Sequence, residues 1–388
     1  MKLKPYLLLL PLVLAACGGN DSDDLAFKDA AVVATRTSNF SSGAISVVDA
    51  SSPYAAANRL NGTGSDIVVR GDGDQYFLIN RSDATIKRYD ASAPTTARYT
   101  YSTDGTGDTD SNPYDLIVVS ATKGYLIRYG SPKLWIVNPS ATREADFKIN
   151  EINLSAYDSA GAPQMSAGVI QNGKLYVALQ RLDGSFAATL NGYVAVIDTA
   201  TDTEINTGVG AGGLKGIPLP VRDPIRLLAV PGSNAILVVA DGGYNGNFVQ
   251  QYEGGIVRIN TQTYGTTRLV DDGTADNHPY GYIADAVVAS ADRAYFIGST
   301  GFGGTQTLFR FKPGATDTPV PVAGYVGKDL GSLGVDPEGK LWIGRTSSAT
   351  PGLTVLGFQG GAETIAKDLI NTELIPQNID FISVPTND

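Results

Sequence analysis

From about residue 25 onward the sequence repeats itself roughly every fifty residues, and the repeat begins and ends in mid-unit. One unit is legible over 112–154. Asn112-Pro113-Tyr114-Asp115 leads into Leu116-Ile117-Val118-Val119, followed by the runs 123–128 and 133–137, the turn 129–132 between them, and an outer run, 146–154. Such short stretches, rich in Val, Ile, Tyr and Thr and separated by Gly, Asn, Asp and Ser, read as four strands, a to d. Pro163, Pro224 and Pro279 open strand a in the next three units, at spacings of 50, 61 and 55 residues. Strand b recurs at 76–79, 175–178, 235–239, 294–297 and 341–343, and strand c at 85–89, 193–197, 255–259, 307–311 and 353–356. No sustained helical period runs through the chain; 362–372 comes nearest to one.

The ends carry the most information. The repeat region opens with a b-like run, Ala31-Val32-Val33-Ala34, and a c-like run, 43–48, with no strand a before them. At the other end 376–382 reads as a strand a with nothing after it. Joined, the two fragments make one blade, and an overlap of this kind closes a ring and leaves no sheet edge exposed. Two stacked β-sandwiches would give no reason for complementary half-units at the termini. The expected fold is all-β: a seven-bladed β-propeller of four-stranded blades over 27–388, closed by a C-terminal strand a that completes the N-terminal blade.

Two resemblances extend this reading. Tyr125-Leu126-Ile127-Arg128-Tyr129-Gly130-Ser131 followed by Leu134-Trp135-Ile136-Val137-Asn138 resembles the YVTN repeat of bacterial seven-bladed propellers. Asn112-Pro113-Tyr114-Asp115 resembles the start of strand a in those repeats, and the likeness of pattern covers most of 27–383. Arg128 stands where that repeat has its Asn, so the resemblance implies the fold and no particular activity. At the N-terminus, Lys2 and Lys4 precede an apolar run, 6–14. This run is far shorter than the roughly 20 residues of a spanning helix, and reads as a cleaved signal. Its end, Leu14-Ala15-Ala16-Cys17, resembles the lipobox of bacterial lipoproteins. The resemblance implies that 1–16 is removed, that Cys17 is acylated and inserted in a lipid bilayer, and that 17–26 is an acidic tether. An ordinary signal cut after Ala16 is the alternative. Gly18 after the lipidated Cys favours the outer membrane of the cell envelope. Loss of Lys2 and Lys4 would move the net charge from −10 to −12.

Composition then excludes chemistry. One Cys, one His, two Met and two Trp in 388 residues allow no intrachain disulfide, no Cys/His zinc cage, no haem-attachment motif and no Cys–His dyad. A catalytic His could only be His278. The acidic balance argues against nucleic acid as a partner. No GxSxG elbow, P-loop or HExxH motif is present. Against propeller lactonases the chain is poor in His, and against quinone-cofactor dehydrogenases it lacks repeated Trp motifs, having only Trp135 and Trp342.

A site should lie on the rim where the d–a and b–c connections meet, because antiparallel strand b returns to the face from which strand a starts. Loops without regular structure in a compact domain tend to be functional. The b–c connections at 35–42, 180–192, 240–254 and 298–306 are long and carry Phe40, Phe186, Tyr244, Phe248, Tyr252 and Phe302. They form either a recognition surface or a cap packed on itself. Arg36, Arg81, Arg128, Arg181 and Arg345 recur at or just past the end of strand b. As a ring they would suit a carboxylate, phosphate or catecholate ligand; alternatively each pairs with an acid such as Asp66, Asp115, Asp223 or Asp380. Asp115 and His278, at the starts of blades, join the candidate binding set. Asp104, Asp108 and Asp110, and Asp271, Asp272 and Asp276, could offer oxygen ligands to calcium. Neither run matches an EF-hand loop, since the sixth position from Asp108 is Pro113, and solvated acidic turns are the alternative. The resulting expectation is a monomeric, lipid-anchored envelope propeller, without cofactor, that binds a protein or small ligand on this rim and assists an outer-membrane transporter. A calcium-dependent lactonase-like hydrolase using His278, and a passive envelope scaffold, are the alternatives.

Overall fold

Each blade is organised around a strand b whose successive inner residues are buried, because the blade has a neighbour on both faces. In the strand Gln75–Asn80, Tyr76 and Leu78 pack toward the first blade while Phe77 and Ile79 pack toward the third. In Ala235–Ala240, Ile236 and Val238 face one neighbour while Leu237 and Val239 face the other. Side chains alternate between the faces of a strand, so a sheet covered on both sides reads as an unbroken apolar run. The computed structural model describes residues 26–386 apart from 108–109, 160 and 302–303. The signal and most of the tether, with Cys17, and also Asp108 and Phe302, lie outside the described residues.

The strands form seven antiparallel sheets in a ring, each with strand a innermost. Blade 3, for example, runs Pro113–Ser120, Lys123–Arg128, Lys133–Val137 and Lys148–Asn153. One hydrophobic cluster occupies each junction between blades: Ala31, Val33 and Val48 of blade 1 meet Trp342, Leu353 and Val355 of blade 7. Blade 4 explains the 61-residue spacing, since after Tyr193–Asp198 two short strands, Thr203–Glu204 and Ile217–Pro218, both pair with that strand. The run 362–372, nearest to helical in pattern, is a strand, Ala362–Asn371, the outer edge of blade 7. Most of its residues are exposed and only Ile370 is buried, as at the outer edge of a sheet.

Closure follows the complementary ends. Ile375–Thr386 supplies strand a to the blade whose strand b is Ala26–Arg36, with register from Ala26 opposite Thr386 to Arg36 opposite Ile375. The pairing is longer at both ends than the sequence runs suggested. Inside the ring, the same strand is laced to blade 2: Val69 N–H donates to Asn378 Oδ1 (2.8 Å), Gly71 N–H to Asp380 Oδ2 (3.1 Å), and Gln377 Nε2 to Ser65 O (2.7 Å). Among the described residues no helix is long and apolar enough to cross a membrane.

Candidate functional site

The seven innermost strands enclose a cavity of about 920 Å³ on the ring axis. Its wall carries charges where the strands' own pattern would place apolar residues. Arg70, third after Ile67, and Arg226, second after Pro224, point into it and donate to Asp115 and Asp285 of the following blades. Asp285 also accepts Leu333 N–H of blade 7 (2.8 Å), and Asp380 lies 4.0 Å from Arg70. Desolvation lowers the affinity of Arg70 for its proton, but the carboxylates of Asp115 and Asp380 outweigh it, so the guanidinium is held firmly charged. This girdle binds blade to blade, and its arginines are already paired.

The mouth of the cavity lies on the rim of long loops. The b–c connections of blades 4 and 5 lean on each other there, with Ala188 N–H donating to Tyr244 O (2.8 Å). Phe186 and Tyr244 from these two loops line the cavity. Each stays partly in solvent, at 63% and 39% exposure. Beneath them are two carboxyl groups, Asp223 just before strand a of blade 5 and Asp241 just after its strand b. Burial raises both above the ordinary carboxyl range, and their mutual proximity raises Asp241 further, so the pair holds a proton between its two carboxyls. Asp241 also accepts Gly243 N–H (2.8 Å), whereas Asp223 Oδ1 is buried without a hydrogen-bond partner. Across the mouth Tyr114 and Tyr129 stack at 4.5 Å, with Arg81 over Tyr114 and paired to Asp66 at 2.6 Å.

Of the rim residues singled out from the sequence, Arg81, Asp115, Phe186 and Tyr244 come together around this cavity. The arginines as a set do not. Arg128 is fully buried, donating to Thr103 O (2.9 Å) and Ser131 Oγ (3.0 Å) and lying over Trp135. Arg181 donates to Tyr157 O and Asn191 O (2.7 and 3.0 Å). Arg36 covers Phe40 of its own loop at 3.8 Å, and Arg345 lies 3.9 Å from Asp368. These guanidiniums brace their own blades rather than facing one ligand. Phe248, 79% exposed, forms a loop tip beyond the cavity lining.

His278 is exposed, stacked on Tyr252 at 4.2 Å with Nδ1 3.0 Å from Thr274 O, and is not part of the cavity wall. Asp104 and Asp110 accept the backbone N–H groups of Ser111 and Asn112 (2.8 and 2.9 Å), and Asp271 pairs with Arg268 (3.0 Å). Asp276 is exposed. Asp272 is fully buried; burial raises it to about 6, even though it accepts Gly254 N–H at 2.9 Å. Among the described residues no three His, Cys, Asp or Glu side chains converge to hold a metal ion. Arg70, Arg226, Asp241 and Asp285 were missed from the sequence. For Arg70, Arg226 and Asp285 the signal was available: a charge inside the apolar run of an innermost strand marks a position on the channel wall.

No family model and no curated protein matches the chain in sequence. Solved structures do match in shape. A candidate 6-phosphogluconolactonase from Bacteroides uniformis superposes with a TM-score of 0.61 at 13% identity, over 91% of this chain and 99% of that one. Its counterpart from Bacteroides fragilis gives 0.58 at 12% identity, over 91% and 98%. A streptogramin B lyase gives 0.54 at 12% identity, over 81% and 86%. At such identities the likeness is one of architecture, and it is to the seven-bladed β-propeller.

Proposed function

We propose that the chain is a lipid-anchored envelope protein that binds a small polar ligand at the mouth of its central channel. The observation carrying this reading is the meeting of three elements at one cavity. The partly exposed rings of Phe186 and Tyr244 overhang a buried carboxyl pair, opposite the Tyr114–Tyr129 stack. Aromatic rings set beside a few convergent polar groups are a usual form of small-molecule site. The lipobox-like end of the N-terminal run supports the anchor, and an anchored binding ring suits delivery of a ligand to an outer-membrane transporter. Hydrolysis through His278 has less support, because its imidazole lies on Tyr252 outside the cavity wall.

The test uses the purified full chain and three probes of similar size: 2-phenylethylamine, 2-phenylethanol and 3-phenylpropanoate. Calorimetric titration should find at least one that binds the wild type, with affinity at least about tenfold weaker in the Phe186→Ala/Tyr244→Ala double variant. Equal behaviour of wild type and variant toward all three would overturn the reading. For the anchor, Cys17→Ala should move the protein from the membrane to the soluble fraction; retention in the membrane would count against lipidation.

A further inference from the structure

The charges around the cavity do not cancel evenly. Each arginine in its wall already has an acid: Arg70 has Asp115 and Asp380, Arg81 has Asp66, and Arg226 has Asp285. Asp223 and Asp241 have no such partner, and no basic side chain is among the leading influences on either. Arg222, next in the chain to Asp223, donates from Nη1 to Ala188 O at 3.2 Å. Asp223 is only 9% exposed and lines the cavity; its carboxyl is hydrogen-bonded to that of Asp241, and its buried Oδ1 has no donor from outside the pair. A buried acceptor left unmade costs about 1–3 kcal/mol, and two adjacent buried carboxyls cannot both ionise unless something positive joins them.

We propose that the Asp223–Asp241 pair is the recognition point for an organic ammonium ion, so that the ligand of this channel mouth is an amine. This rests on the binding reading above and narrows it. The ammonium would sit between the two carboxylates and give Asp223 Oδ1 its missing donor. The hydrocarbon part would lie against Phe186, Tyr244 and Tyr129, whose ring faces also attract cations. Arg81 already covers the face of Tyr114, at 4.6 Å, and so closes the other side. A carboxylate or phosphate would meet paired arginines and two acids, which disfavours it.

The pair gives the proposal a pH signature. Without ligand the two groups share a proton; with a cation between them both ionise, and the proton leaves. Affinity should therefore rise with pH, about tenfold per unit for each proton released. The other titratable or charged groups facing the pair are Tyr114, Tyr129 and Tyr244, with Tyr282 beside Tyr244, and the Arg81–Asp66 pair. Burial raises Tyr114, Tyr129 and Tyr244 above the ordinary phenol value, so these three stay neutral over the range that matters.

The experiment is titration of the full chain with 2-phenylethylamine at pH 5 and pH 8, with 2-phenylethanol, 3-phenylpropanoate and calcium chloride in parallel. The amine should bind at least about tenfold more tightly at pH 8 than at pH 5, with proton release detected in buffers of different ionisation enthalpy. Asp223→Asn and Asp241→Asn should each weaken it at least about tenfold, and circular dichroism checks that both stay folded. Should both fail to fold, the pH dependence and the proton release of the wild-type chain decide alone: binding of the amine that is equal at pH 5 and pH 8 and releases no proton overturns the assignment. If the alcohol or the acid binds and the amine does not, the amine assignment is wrong while the channel-mouth site stands. If calcium binds and the amine does not, the pair is part of a metal site. If nothing binds, both readings fall together.

Discussion

Gly71 shows how narrowly single residues hold this ring. It sits in strand a of blade 2, and a Cβ there would lie 1.9 Å from the carbonyl oxygen of Phe381 in the closing strand. Backbone, unlike a long side chain, cannot swing aside. Gly71→Ala should therefore cost about 1–3 kcal/mol, the range of core overpacking. Gly73, two residues on, has φ of +58° but open space around its Cβ position. Gly73→Ala meets backbone strain alone and should cost about 1 kcal/mol. Chemical denaturation of the two variants checks the order; equal losses would mean that the seam is not tightly packed. Arg128 makes the complementary case of a charged residue spent on structure. Arg128→Ala removes the donors to Thr103 O and Ser131 Oγ and the partner of the Trp135 ring. A loss of roughly 2–4 kcal/mol is expected, with binding of any channel ligand unchanged in the molecules that stay folded.

Elements divide into those that carry packing and those that carry the site, and stability measurements can tell them apart. The loop 241–254 is held at several points, among them Gly254 N–H on the buried Asp272 carboxyl. Asp272 titrates near 6 when folded, against about 3.9 when unfolded, because burial disfavours its charge. Between these values the folded chain holds a proton that the unfolded chain lacks. Its contribution therefore favours folding at low pH and is lost as pH rises through 6. Relative to wild type, Asp272→Asn should raise the melting temperature at pH 7.5 and give no gain at pH 4. A constant offset across this range would rule out the linkage. At the tip of the same loop Phe248 has little to pack on, so Phe248→Ser should change stability by less than about 0.5 kcal/mol. The strands were legible in the sequence because burial on both faces writes continuous apolar runs, and the loops because their lengths depart from the repeat. The site was only half legible. Phe186 and Tyr244 announced themselves by standing on long loops, but the end of a strand does not reveal which way its last side chain turns. Hence five recurrent arginines looked alike, and one of them borders the cavity. The Asp223–Asp241 pair escaped because its members are 18 residues apart and meet only through the register of strands a and b in blade 5, where Pro224 lies opposite Ala240.

At the scale of the whole molecule, stability depends on a joint between the two ends of the chain. A propeller has no covalent closure, and this one has a single Cys, so no intrachain disulfide can staple it. The strand Ile375–Thr386 does that work on two sides at once. It completes the sheet of blade 1 along the whole of Ala26–Arg36, and through Asn378, Asp380 and Gln377 it is hydrogen-bonded to strand a of blade 2 and the loop before it. Removing it would strip the edge of Ala30, Ala31, Val32, Val33 and Ala34, all fully buried in the closed ring, and leave a row of unpaired backbone groups. A chain ending at residue 374 should therefore melt at least about 10 °C lower and self-associate in gel filtration. The decisive arm is complementation. A synthetic peptide spanning 375–388 should bind the shortened chain, return it to the elution volume of the full chain and recover most of the melting temperature, since the joint is held by hydrogen bonds and packing that need no chain continuity. If the shortened chain melts like the full one, closure contributes little and the seven junction clusters alone hold the ring. If it self-associates but ignores the peptide, the joint must form during folding, when both ends are tethered at high effective concentration.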